Sequence, residues 1–315
     1  MDKTRREFIK KTALTAGVLP LLNFPLSAWA SLEKEEQLSV HIFSKSLQFL
    51  DYNSTGQMAA EMGFSGVDLT VRPNGHVLPE FVKTDLPKAI KDIKEGGSSC
   101  VMISTNIESV NNPLDVDIIE TAARLGVKYY RPNWYEYTGN QSMTDDLEIY
   151  KQQVKELSIL NKELGITGSY QNRDGTSVGS SFWEVKKILE TADQDYYGSQ
   201  YDIRHAIVEG GFSWENGFQL LCPHIKVIVL KDFKWGKVNG KWETINTPIG
   251  EGMVDFDKYF KLLKKHQLKP PVSLHIEYPL GGAEEGSSVL TVDRKVVFDA
   301  LKKDLTTIQR FWRDA

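Results

Sequence analysis

An acid followed three residues later by a histidine, Asp202 and His205, stands in the stretch Tyr201-Asp202-Ile203-Arg204-His205, between a turn-prone approach and the turn signal Glu209-Gly210-Gly211. A carboxylate and an imidazole where a strand gives way to a loop can share a proton or hold a cation. His275 and Glu277 alternate at the end of another apolar run, so extended chain would point both to one face. Lys231 and Arg173, each just after an apolar run, supply positive charge that can stabilise a developing oxyanion. Asp202, His205, Glu277, Lys231 and Arg173 are therefore the candidates for moving a proton beside a carbonyl, and Asp202 with Glu277 for ligating a divalent ion. Arg72, His76, Arg131, Trp134, Tyr170, Asn172 and His275 are candidates for holding substrate. Each also has a structural alternative. Asp202 can cap a turn or pair with Arg204, His205 can serve as a hydrogen-bonded support, and Lys231-Asp232 can open a solvated loop.

These residues need elements to position them. β-prone runs recur at 39–43, 66–71, 99–104, 128–131, 166–170, 199–203, 225–230 and 272–276, with amphipathic segments at 114–125, 145–164, 182–191, 256–266 and 293–312. Glycine stops follow Met62, Leu125 and Leu164. Eight alternations without a series of hairpin turns predict parallel strands with helical crossovers, and eight strands close an α/β (β/α)8 TIM barrel. The competing architecture is a doubly wound open sheet. No Gly-x-Gly-x-x-Gly follows the first strand, so no nucleotide cofactor is expected. The long unpatterned stretches 72–83, 132–144, 172–180, 233–252 and 278–289 each follow the C-terminal end of a strand, which in a barrel gathers them on the active face. His41, Lys45, Asp68, Asn106, Gln171, Glu209 and Asp232 complete a ring of strand-end polar groups too dense to be buried without partners.

Residues 1–30 carry a twin-arginine pattern, Thr4-Arg5-Arg6-Glu7-Phe8-Ile9-Lys10, an apolar run, and Ala28-Trp29-Ala30 as a cleavage site. They predict a signal peptide and a periplasmic or otherwise exported protein, with residues 31–315 as one barrel domain. The whole chain has 38 basic and 42 acidic residues; 1–30 hold five and two of them, leaving 33 against 40, a net of −7. That balance excludes a nucleic-acid groove, and no apolar run is long enough to be a membrane helix. Cys100 and Cys222, both in apolar contexts, are expected to be buried free thiols.

The order of Gly66-Val67-Asp68-Leu69, Tyr170-Gln171-Asn172-Arg173, Asp202-Ile203-Arg204-His205, Val229-Leu230-Lys231-Asp232, Gly250-Glu251-Gly252 and His275-Ile276-Glu277 resembles the xylose isomerase-like barrel superfamily of sugar isomerases, epimerases and dehydratases. The resemblance covers essentially residues 31–315 and implies a carbohydrate substrate. It also implies a divalent metal held by a glutamate after strand five, an aspartate on strand six, a histidine on strand seven and a glutamate on strand eight. Asp202 and Glu277 match the second and fourth; Gly179 and Val229 stand where the other two are expected, and neither can bind a metal. Three functions follow from this: a metal-dependent sugar isomerase or epimerase, a metal-free lyase or epimerase on a keto-sugar or keto-glycoside with Arg173 or Lys231 in place of the cation, and a non-catalytic sugar-binding barrel. The loop Trp134-Tyr135-Glu136-Tyr137 would stack on a sugar ring or pack upon itself. No pair of carboxylates with a defensible separation marks a glycoside hydrolase.

Overall fold

The computed structural model describes residues 37–315. The leader expected at 1–30 lies outside the described residues.

Eight parallel strands form a closed barrel: β1 (Val40–Phe43), β2 (Gly66–Val71), β3 (Met102–Thr105), β4 (Tyr129–Arg131), β5 (Thr167–Gln171), β6 (Tyr197–Asp202), β7 (Ile225–Leu230) and, after a hairpin, β10 (Val272–Leu274), which pairs with both β7 and β1. The helices are α1 (Tyr52–Met62), α2 (Val82–Glu95), α3 (Pro113–Arg124), α4 (Met143–Leu164), α5 (Phe182–Ile188), α6 (Ile203–Gly210), α7 (Trp214–Leu221), α8 (Phe256–Lys265) and α9 (Arg294–Asp314). The barrel expected from the sequence is the one observed. A strand buried on both faces, as β2 is along its whole length, belongs to a parallel sheet covered by helices.

Local chemistry sets the boundaries. Asp51 and Ser142 cap α1 and α4 by accepting from Ser54 N and Asp145 N. Gly63 and Gly165 close the same helices in the left-handed region that glycine enters without a Cβ penalty. Cys100 is buried and Cys222 half-buried, both free, so the expectation of two buried thiols holds in full only for Cys100. Burial pushes the Cys100 thiol up to about 12.

Two features depart from the expected pattern. The stretch after β7 is not an open loop but a hairpin, β8 (Asp232–Val238) with β9 (Lys241–Thr247), turned at Asn239-Gly240 with φ of 50° and 82°. That is the left-handed pair a two-residue hairpin turn needs. Asp232 at its base is buried and accepts backbone N–H groups from Phe233, Gly250, Gly252 and Val254, so it ties the hairpin to the following loop rather than opening a solvated one. The second departure is at β6, which runs straight into α6 with no loop between them.

Among the described residues no helix is long and apolar enough to cross a membrane.

Candidate functional site

The site begins with an alternation. Tyr201 faces outward from β6 into an aromatic layer, its ring centre 5.9 Å from Phe182, 5.6 Å from Phe218 and 6.0 Å from Tyr259 on α5, α7 and α8. The next side chain, Asp202, must then point into the barrel, where it has no solvent exposure. It is also the N-cap of α6: Oδ1 accepts the His205 N–H at 3.1 Å. One residue therefore serves as cap and as the floor of the site, and the cap places His205 one turn above it. Arg204 pairs with Asp174 instead of Asp202. Asn172 fixes the backbone beneath, donating from Nδ2 to Asp202 O at 3.0 Å and accepting Asp202 N–H at 2.8 Å.

Lys231 is the centre of the arrangement. It follows β7, two residues beyond Val229 and thus on the same face, and Val229 lies in register with Asp202 and Ser273. Its Nζ is 2.9 Å from Asp202 Oδ2 and 3.4 Å from Glu277 Oε1, and it donates to His205 Nε2. Gln171 Nε2 gives Asp202 Oδ2 a further hydrogen bond at 2.8 Å. Lys231 is 4% exposed, so its charge acts on these neighbours through little water.

His205 is held from its other side. Nδ1 lies 2.6 Å from Asp174 Oδ1 and 2.6 Å from the Asp174 backbone nitrogen. An N–H donating to Nδ1 would leave both ring nitrogens as acceptors, which a neutral imidazole cannot be, so the carboxylate is the partner that fits. The ring proton then sits on Nδ1, and the Nε2 lone pair is directed at Lys231. Burial would raise the Asp174 carboxyl, but contact with His205 and Arg204 holds it well below the usual carboxylate range.

Above this floor is a cavity of about 260 Å³. Its lining includes Glu277, Lys231, His205 and Asp174, together with Arg72, Arg131, Arg173 and Trp134. Burial would raise the Glu277 carboxyl as well, but the nearby positive charges, Lys231 first and then Lys45, bring it down to about 2. His275 stacks on Phe43 with ring centres 4.1 Å apart, and its Nε2 is 3.0 Å from Ser273 Oγ, which in turn donates to Asp68 Oδ2 at 2.5 Å. Burial, then the charges of Lys231, Lys45, Arg131 and Arg72, push the His275 imidazole well below its usual range, so it stays neutral.

Three expected substrate contacts lie elsewhere. Tyr170 is fully buried, its hydroxyl donating to Val178 O and accepting from Tyr135 N, so it shapes the loop after β5. Asn172 spends its amide on the Asp202 backbone. His76 bonds through Nδ1 to Ser44 at 3.1 Å and borders a separate surface hollow beside Tyr52. In the aromatic loop, Tyr135 packs between Tyr150 and Tyr170, and Trp134 alone reaches the cavity. Asp174, Arg204, Lys45 and Gln171 also line the cavity. Asp174 escaped notice because Asp-Gly after Arg173 reads as a turn; a carboxylate four residues past the end of β5's apolar run, facing Asp202-x-x-His205 on the next strand, was the available signal.

The donor set does not fit a divalent metal. Val229 is fully buried and apolar; Gly179, with φ of 103°, has no side chain and donates its N–H to Glu184 Oε2 at 2.8 Å. An ammonium stands between the two remaining carboxylates, Asp202 and Glu277. Among the described residues no group of three or more His, Cys, Asp or Glu is arranged to hold a metal ion.

A family model described as "Xylose isomerase-like TIM barrel" matches residues 57–291. The chain belongs to this family. Solved structures share the fold, among them the following three. One is a xylose isomerase-like TIM barrel protein from Mycobacterium smegmatis in complex with magnesium (TM-score 0.64, 12% identity, covering 87% of this chain and 98% of that one). Another is 3-keto-D-glucoside 4-epimerase from E. coli (0.64, 13%, 86% and 100%). The third is D-psicose 3-epimerase from Clostridium cellulolyticum H10 with D-tagatose (0.64, 13%, 87% and 99%). No match was found among the curated proteins.

Proposed function

We propose that this member of the family is a carbohydrate enzyme that abstracts a proton next to a sugar carbonyl, as an epimerase, isomerase or lyase on a keto-sugar or keto-glycoside, with Lys231 in place of a divalent metal. The observation that carries this is the position of Lys231 Nζ, 2.9 Å from Asp202, 3.4 Å from Glu277 and donating to His205. The neighbouring folds whose names are 3-keto-D-glucoside 4-epimerase and D-psicose 3-epimerase support the substrate class.

In this reading the substrate carbonyl oxygen takes the hydrogen bond that Lys231 gives to His205. The ammonium then stabilises the enolate as charge develops on that oxygen. His205 Nε2, released in the same step, accepts the proton from the adjacent carbon, and Asp174 keeps the ring in the tautomer that can do so. Glu277, held to about 2, is too weak a base for this step; as a carboxylate 3.4 Å from Lys231 Nζ it helps hold that side chain in position. His275, kept neutral, is suited to accept a substrate hydroxyl at Nδ1. Protonation of the enolate on the other face by solvent, with the imidazolium of His205 later giving its proton back to water, gives epimerisation; departure of a substituent from the next carbon with its bonding electrons as the enolate collapses gives elimination. The twin-arginine pattern supports an enzyme that acts after export.

The test is a panel of ketoses and keto-glycosides incubated with the protein in deuterated water and followed by NMR. Deuterium should enter at the carbon next to the carbonyl and should fail to do so with His205→Gln. Sugars that bind without exchange would make the chain a binding module.

A further inference from the structure

The cavity is lined by six cationic side chains and two carboxylates. Two of the cations are committed: Arg204 pairs with Asp174, and Lys231 with Asp202 and Glu277. Lys45, whose strongest charged neighbour is Glu277, and Arg72, Arg131 and Arg173 have no ion pair within 4.0 Å among the described residues. Arg131 is 2% exposed; Nη1 donates to Pro132 O at 3.1 Å, Nη2 to Thr105 O at 3.4 Å, and the buried Nε has no partner. Neutral carbonyls compensate poorly for a buried charge, so this guanidinium calls for an anion.

Trp134 gathers the group. Its indole N–H donates to Gln171 O at 3.0 Å, and the Arg131 and Arg173 guanidiniums lie 4.2 and 4.3 Å from its ring centre. Arg72 sits 5.4 Å from the Phe43 ring on the adjoining wall. Burial first, then the charge of Arg72, bring Arg131 down to about 9; Asp68 opposes the fall and Arg173 adds to it. Asp68 is the carboxylate that acts on Arg131 and Arg72, but it makes no ion pair with them within 4.0 Å, its oxygens accept from Ser104 and Ser273, and a single charge offsets at most one of the three guanidiniums.

We propose that Arg72, Arg131 and Arg173 form a subsite for an oxyanion carried by the substrate, which is a monosaccharide bearing a carboxylate or a sulfate or phosphate ester. The sugar part rests on the function proposed above; the anionic part rests on the arginines alone. Guanidinium forks match the paired oxygens of such groups. At about 260 Å³ the cavity falls just below the roughly 300–1,000 Å³ common for small-molecule sites, which suits a single ring with its charged group. With the anion on the arginines, the opposite side of the ring faces Lys231 and His205.

The experiment is titration calorimetry at low ionic strength with D-glucuronate, D-glucose 6-sulfate, D-glucose 6-phosphate and D-glucose. At least one charged sugar should bind about tenfold or more tightly than glucose, with the advantage shrinking as salt is added; which arm wins separates carboxylate from ester. Arg173→Gln, at a half-buried position, should cut that advantage about tenfold with the thermal melt preserved, and Arg131→Gln should do the same if it folds. The proposal is overturned if no charged sugar outbinds glucose, or if Arg173→Gln leaves the ratio unchanged. Preferential anion binding without proton exchange on any sugar keeps the subsite and removes the proton-abstraction function. Exchange on a neutral ketose with no anion preference does the reverse.

Discussion

Replacing Lys231 with methionine keeps the length of the side chain and deletes its charge. Its ammonium is 2.9 Å from Asp202, a carboxylate with no solvent exposure. Removing one partner of a buried pair costs roughly 3–5 kcal/mol. Asp202 keeps hydrogen bonds from Gln171 Nε2 at 2.8 Å and His205 N at 3.1 Å, which places the loss near the low end, about 3 kcal/mol. For a domain of this size that is a fall in Tm of about 6–10 °C at neutral pH. The pH dependence is more diagnostic. Glu277 is held at about 2, below its ordinary 4.5, so its contribution to stability is present above about 4.5 and lost as pH falls through about 2. Lys231 is the largest influence lowering that carboxyl, and without it the folded-state value rises. Lys231→Met therefore loses less stability on acidification than the wild type does, and the gap between their melting temperatures narrows as pH falls from about 4.5 towards 2. Thermal unfolding by circular dichroism at pH 7 and across that range is the assay. An unchanged Tm at pH 7, or a gap independent of pH, would refute the coupling of this ammonium to the two carboxylates.

Asp174→Asn removes the group that orients His205, so turnover should fall by about 10²–10⁴ with the fold retained, measured as the rate of proton exchange. Combining Val229→His with Lys231→Ala restores a strand-seven ligand and clears the ammonium from between Asp202 and Glu277; calorimetry with Mn²⁺ should show saturable binding by the double variant and none by the wild type. Asp304 is buried, accepts from Tyr278 Oη at 3.0 Å and Ile249 N at 3.2 Å, and burial pushes it from 3.8 up to about 7. Its folded form keeps a proton that the unfolded chain has lost, so stability falls as pH rises from 3.8 to about 7. Asp304→Asn should therefore raise Tm more at pH 8 than at pH 5 in a thermal melt.

The barrel was legible because its signals are local and repeated: apolar runs of strand length, helical periodicity and glycine stops. The hairpin after β7 was missed although Asn239-Gly240 is the strongest short turn signal in the chain, since a long loop at that place already fitted a barrel. In the site, alternation along a strand placed Asp202, Lys231, His275 and Glu277 at one end of the barrel. It could not show which side chains meet across strands far apart in sequence. Tyr170 and Asn172 sit in the same motif as Arg173, yet the first is spent on the loop carbonyl of Val178 and the second on the Asp202 backbone. Asp174 and Arg204, thirty positions apart, become partners only once β5 and β6 lie side by side. The role of Lys231 was open for the same reason: a lysine opening a loop and a lysine seated between a buried and a half-buried carboxylate have the same sequence.

The central claim is that Lys231 takes the place of a divalent metal. It is tested most directly by the rate of solvent deuterium entry into a keto-sugar substrate, measured for metal-stripped wild type, for wild type with Mg²⁺ or Mn²⁺ added, and for Lys231→Met. The account predicts equal rates for the two wild-type samples and a fall of about 10²–10³ for the variant, the usual loss when one oxyanion-stabilising donor is removed. Exchange that stops on stripping and returns with added metal, or that continues undiminished in Lys231→Met, would contradict it.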